Sequence, residues 1–224
     1  MIGLDSHTVE NRKVVLENDM IEQWSSVYKE SDSLSSALTK VLSNHQMDMQ
    51  GFMGSGKVQE EYLETVFYDM VEVLQYNSTS GIFLVLGNDK STEEECEYNG
   101  FWVRDSDPMT KTASYADLQM ERGSKVLSQN MSISLDTSWH TDFHFQGNGK
   151  RDADDFFYQP YITAENYVDS RTSMKNLGYW SKPFILEDFY KDNHKMITYS
   201  APLVYDKTVY GVLGIEVGVN DLTK

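Results

Sequence analysis

The sequence predicts an α+β fold: a long N-terminal helix followed by antiparallel sheet. Three observations predict it. Residues 8–49 contain neither proline nor glycine and are rich in helix formers. The chain closes on a hairpin pattern, with Ile197, Tyr199 and Ala201 on one strand, a turn at Tyr205-Asp206-Lys207 and a second strand over 209–219. Between these ends short helix and strand patterns are mixed, which fits antiparallel sheets better than a doubly wound parallel one.

In the N-terminal stretch, apolar residues fall at Met20, Trp24, Val27, Leu34, Leu38 and Val41, with Ser31 filling the remaining place in a heptad-like stripe. About 40 helical residues would span on the order of 60 Å. Such a stripe packs either on its own chain or on a second copy, so a homodimer through this helix is one expectation. Gly51, Gly54 and Gly56 read as a flexible break. A second amphipathic helix is expected over 59–75, with Tyr62, Val66, Met70 and Val73 at helical spacing, then a buried strand at Ile82–Leu86. Further expectations are a strand at 98–104, a short helix over 115–123, extended segments at 131–135 and 139–145, and a short helix near 156–167. In the closing strand, Val212, Gly214, Glu216 and Gly218 alternate with Leu213, Ile215, Val217 and Val219, the pattern of a half-buried strand.

Composition narrows the function. Lys plus Arg is 19 and Asp plus Glu 35, a formal net charge of −16. So acidic a surface repels phosphate backbones and anionic lipid headgroups, which argues against nucleic-acid partners. The single cysteine, Cys96, rules out an intramolecular disulfide. No run of 18 apolar residues is present. The chain starts within a helical pattern and stops just after a strand, as an excised piece of a longer protein would.

No motif points to catalysis. Gly51, Gly56 and Lys57 approach a phosphate loop, but Val58 stands where Ser or Thr should hold magnesium. His140, Asp142 and His144 would share a face if their segment were one strand, yet no third histidine lies near. Asp152 to Asp155 lacks the glycine and the closing glutamate of a calcium loop. There is no GxSxG elbow, and Cys96 lies among glutamates that disfavour a thiolate. The expectation is therefore no enzyme, no metal and no cofactor.

Aromatic and polar residues form a better constellation. Tyr158, Gln159, Tyr161, Tyr179, Trp180, Phe184, Asp188 and Tyr199 cluster in sequence, and Trp102 joins them as a candidate wall. Rigid rings with directional hydrogen-bonding groups suit a small polar ligand. The alternative for each ring is a place in the core of a curved sheet.

The segments Tyr158-Gln-Pro-Tyr-Ile-Thr-Ala164, Trp180-Ser-Lys-Pro-Phe184, Met196-Ile-Thr-Tyr-Ser-Ala-Pro202, Tyr210-Gly-Val-Leu-Gly-Ile-Glu-Val217 and Asn220-Asp-Leu222, after a long helix, resemble a double Cache (dCache) sensor domain. The resemblance implies PAS-like antiparallel-sheet modules on a long helix, outside the cytoplasmic membrane of a bacterial chemoreceptor, histidine kinase or diguanylate cyclase. It also implies a small polar ligand, a cytoplasmic signalling output, and membrane contact only through transmembrane helices outside this chain. Expected parts are 1–57 as helix and linker, 58–190 as the membrane-distal ligand-binding module, and 191–224 as a closing hairpin and smaller membrane-proximal part. Where many members carry Arg, Trp and Tyr to clamp an amino acid, this chain has Gln159, Tyr161 and Ile162, and without the arginine the bidentate carboxylate clamp is lost. A structural or dimerisation module with a vestigial pocket is the alternative.

Overall fold

The structure, a computed structural model, describes residues 27, 30, 31, 33–77, 79–108, 115–168, 174–185 and 195–218. Helix α1 is described at 27, 30, 31 and 33–45. Two helices follow, α2 (Met49–Met53) and α3 (Gly56–Asn77), then strands β1 (Gly81–Leu86), β2 (Cys96–Tyr98), β3 (Gly100–Asp105) and β4 (Leu118–Arg122). Next come α4 (Lys125–Met131), β5 (Ser134–His140), β6 (Phe143–Phe145), α5 (Asp155–Tyr167), β7 (Tyr179–Trp180), β8 (Met196–Tyr205) and β9 (Thr208–Gly218).

Seven strands form one sheet in the order β5-β4-β3-β1-β9-β8-β7, antiparallel except for the β4–β5 pair. β2 and β6 form a separate two-stranded sheet. The closing hairpin is hydrogen-bonded into the middle of the large sheet. β9 pairs with β1 from Gly81↔Glu216 to Leu86↔Gly211 and with β8 on its other side. This is an α+β arrangement built on a largely antiparallel sheet.

Helices α1 and α3 cover one face of the sheet. Val27, Leu34, Leu38 and Val41 of the stripe are buried there with Tyr62, Val66, Met70, Leu84, Phe101 and Leu213. The Tyr62 hydroxyl donates to the Leu34 carbonyl at 3.3 Å, and the Tyr62 and Tyr210 rings meet edge-on at 6.2 Å. The described part of the stripe is thus used within the chain; Met20 and Trp24 lie outside the described residues. On the opposite face α5 and the β2–β6 pair bury Phe83, Trp102, Phe143, Phe145, Phe156, Phe157, Tyr158 and Tyr161.

Several expectations give way for identifiable reasons. The glycine-rich break expected at 51–56 is narrower than that stretch: Gly51 lies in α2, where its N–H donates to the Asp48 carboxylate at 2.9 Å, and the chain leaves helix at Gly54 and Ser55 before α3 begins. The helix expected over 115–123 is strand β4. Tyr115 (φ 51) and Gly123 (φ 126) hold left-handed backbone at its two ends, and pairing with β3 and β5 outweighs the helix propensity of Gln119, Met120 and Glu121. Extended structure begins at Ser134 rather than Met131, after α4 stops on Ser132 in the left-handed region. His140 ends β5 while His144 sits on β6, so the two do not share a strand. β9 is buried on both faces, not half-buried, because α5 and the small sheet cover the side where Glu216 stands.

Gly214 lets β9 lie close beneath the second core. A Cβ there would run into the Phe83 ring and sit 2.7 Å from the Tyr199 carbonyl oxygen. Gly214→Ala is expected to cost about 1–3 kcal/mol through forced repacking, read as a lowered urea midpoint at unchanged denaturant slope.

Candidate ligand site

The face of the sheet under α5 carries most of the expected wall residues. On β3 the Trp102 ring stacks on Phe83 at 4.5 Å and meets Phe156 edge-on at 5.2 Å. Tyr158 and Tyr161 project from α5 into the same layer; both are buried, and the Tyr161 hydroxyl donates to the Val209 carbonyl at 3.0 Å. Burial pushes the Tyr161 phenol well above its ordinary pKa, so it stays neutral. Phe184 stacks on Phe156 at 5.8 Å and is held by a two-way backbone bridge to Met196. Tyr179 pairs with Ser200 at the β7 edge and is half-buried.

The sheet separates the other candidates from these. Trp180 and Tyr199 oppose each other across the β7–β8 ladder and pack at 5.0 Å, but on the α1–α3 face. With a side-chain period of two, Tyr199 must face away from Thr198 and Ser200. Gln159 points outward from α5 and its amide reaches Asp155 at 3.4 Å. Asp188 lies outside the described residues. Trp102, Tyr158, Tyr161, Tyr179 and Phe184 therefore share one face, whereas Trp180, Tyr199 and Gln159 do not.

The sequence reading missed the polar groups of that face. Glu216 on β9 is completely buried. The Trp102 indole N–H donates to Oε2 at 2.9 Å, and Arg104 donates to Oε1 from Nε at 3.1 Å and Nη2 at 2.8 Å. Arg104 also donates from Nη1 to Glu121 Oε1 at 2.8 Å, so one guanidinium bridges two buried carboxylates. Burial raises the Glu216 pKa to about 7, Arg104 opposes that rise, and Glu121 adds to it. Gly81 makes room, since a Cβ there would come within 2.8 Å of Glu216 Oε2. Across the ladder Thr198 opposes Glu216 and Ser200 opposes Gly214. Both hydroxyl oxygens are fully buried without a hydrogen-bond partner. The available signal was one carboxylate in the apolar run GVLGIEVG, which alternation assigned to an open face.

Buried polar atoms normally find partners, and Thr198 and Ser200, two residues apart on one face of β8, show none among the described residues. The rings of Trp102, Phe156 and Phe184 pack in the same layer.

No protein-family profile matches the chain, and no curated protein matches it. Among solved structures it is similar to the extracellular domain of soHK1S-Z6, assigned as a histidine kinase, with 18% identity over 96% of this chain and a TM-score of 0.37. It is also similar to the sensory domain of the Campylobacter jejuni chemoreceptor Tlp3 (CcmL), with 12% identity over 94% of this chain and a TM-score of 0.29. A ligand-binding domain of Tlp3 in complex with L-valine matches at 14% identity over 98% of this chain and a TM-score of 0.29. The chain spans 64%, 65% and 66% of those three chains respectively.

Removing Arg104 would strand two buried carboxylates. Arg104→Ala is expected to destabilise the domain by about 3–5 kcal/mol. Trp102→Phe, which keeps a ring over Phe83 but leaves Glu216 Oε2 without its donor, should cost about 1–3 kcal/mol. Chemical denaturation at pH 7 orders the two.

Proposed function

We propose that this chain is an extracytoplasmic sensory domain of the dCache type that binds a small polar ligand on the α5 face of its sheet and performs no chemistry. The observation that carries the reading is the pair of buried, unpartnered hydroxyls on Thr198 and Ser200 beneath an aromatic wall. Ligand oxygens or nitrogens satisfy those hydroxyls, while Phe184 and Tyr179 close over the ligand from the β7 side. Signalling needs only that the ligand prefer one of two arrangements of this face. The relay then runs through the sheet to the α1 side, toward a membrane-embedded and cytoplasmic output outside this chain. Among the described residues no helix is long and apolar enough to cross a membrane.

A second reading, a structural module of a membrane receptor whose pocket is vestigial, draws on the tight packing of Trp102, Phe83, Phe143, Phe145 and Phe156 in the same layer. A thermal-shift screen of amino acids, amines, purines, organic acids and sugars separates the two. A true ligand at 100 times its Kd adds about 2.7 kcal/mol, and no shift across the screen favours the structural module. Ser200→Ala should weaken a hit at least several-fold with little change in the ligand-free melting temperature. Tyr161→Ala should instead cost about 3–5 kcal/mol, the price of emptying a core site.

A further inference from the structure

Away from the α5 face of the sheet, α2, the loop after β1, the C-terminal half of α5 and the β8–β9 turn enclose a cavity of about 560 Å³ that opens to solvent. Small-molecule sites commonly measure about 300–1,000 Å³. Of the wall residues considered on the sheet face it shares only Tyr161, whose hydroxyl is already committed to the Val209 carbonyl at 3.0 Å. Met49 and Met53 of α2, with Val168 and Val209, give the cavity its apolar surface. A Cβ on Gly87 would lie 2.6 Å from the Tyr161 hydroxyl and 2.9 Å from the Met53 methyl, so those two groups converge over a residue with no side chain. Thioether side chains adapt to the shape of what they cover.

Two carboxylates face this surface. Glu165 stands one helical turn after Tyr161 and so on the same side of α5. Burial pushes its carboxyl above the ordinary value, and no cation offsets that rise. Asp89 reaches the end of α2, where a Cβ on Gly54 would lie 3.6 Å from one of its carboxylate oxygens. Neither carboxylate has a hydrogen-bond or ion-pair partner among the described residues. Lys90 and Lys207 also line the cavity, from exposed positions in the loop and the turn. A lysine ammonium on a flexible stem stays strongly hydrated there, whereas Glu165 is fixed on a helix against hydrocarbon. The charge left to be met inside is negative.

We propose that the cavity between α2, α5 and the β8–β9 turn is a second ligand site of this chain, taking a small organic cation: an ammonium group on an apolar body. The ammonium pairs with Glu165 and Asp89, and the body lies against Met49, Met53 and Val209. The chain's net charge of −16 draws such cations toward its surface. Nothing in this assignment depends on a ligand at Thr198 and Ser200.

The test is an NMR titration of the chain carrying isotope-labelled methionine methyls, with phenethylamine, phenethyl alcohol, phenylpropionate and phenylalanine as probes. The Met49 and Met53 signals, assigned through Met49→Leu and Met53→Leu, should move saturably with phenethylamine, while Met196, buried in the core under α5, stays in place. Each of the other three probes should bind about tenfold or more weakly, and Glu165→Gln should weaken phenethylamine by a similar factor at a nearly unchanged melting temperature. The absence of a saturable shift at Met49 and Met53 overturns the proposal. Equal affinity for any of the other probes, or for phenethylamine in Glu165→Gln, overturns it as well. Movement of Met196 in place of these two puts the ligand on the α5 face, which refutes this site and supports the other. Should Glu165→Gln not fold, the order of the probes on the wild-type chain decides.

Discussion

A sheet covered on both faces leaves no water for a polar side chain on its central strands, and Glu216 stands on β9, the strand between β1 and β8. Everything around it is arranged by that constraint. Trp102 must keep its indole edge toward the carboxylate, which fixes the ring over Phe83 and in turn places Phe156 and α5. Arg104 must extend along the sheet, which brings β4 into register through Glu121. An isolated charge here would be too costly to keep, whereas a bridged, hydrogen-bonded one can persist while conferring geometric specificity more than net stability.

The same constraint explains how far the sequence could be read. Periodicity placed α3, β1, β8 and β9 well, because long apolar patterns report the side that packs and do not depend on which element packs there. It failed where two elements compete for one side. The alternation in β9 correctly separated Leu213 and Ile215 from Gly214 and Glu216, but alternation cannot distinguish a second core from solvent. Tertiary pairing likewise overrode local preference in β4, whose Gln119-Met120-Glu121 run is a good helix former held as strand by β3 and β5.

The candidate site was legible in kind and only partly in detail. Tyr158, Tyr161 and Phe184 fall on one face of the sheet, since rings that cluster on one helix come together where that helix packs on the sheet. Trp180 and Tyr199 fall on the opposite face because neighbours on a strand alternate between faces, and the register of β7 against β8 is not written in either segment. Thr198 and Ser200 carried no signal at all. Serine and threonine are common in strands, and only the burial of the whole β8 edge turns their hydroxyls into unsatisfied groups.

β9 is also the element through which an event on one face must reach the other. Its Glu216 side meets the aromatic layer, and its Leu213 and Ile215 side meets the α1–α3 core. Near the start of the strand, Tyr210 packs against Tyr62, whose hydroxyl holds the Leu34 carbonyl of α1. Glu216 has no exposed surface, so its charge is met by the side chains packed around it. Close-packed interiors give little by compression. Tyr210 and Tyr62 thus place β9 in contact with the residues that hold α1 on the far side of the sheet.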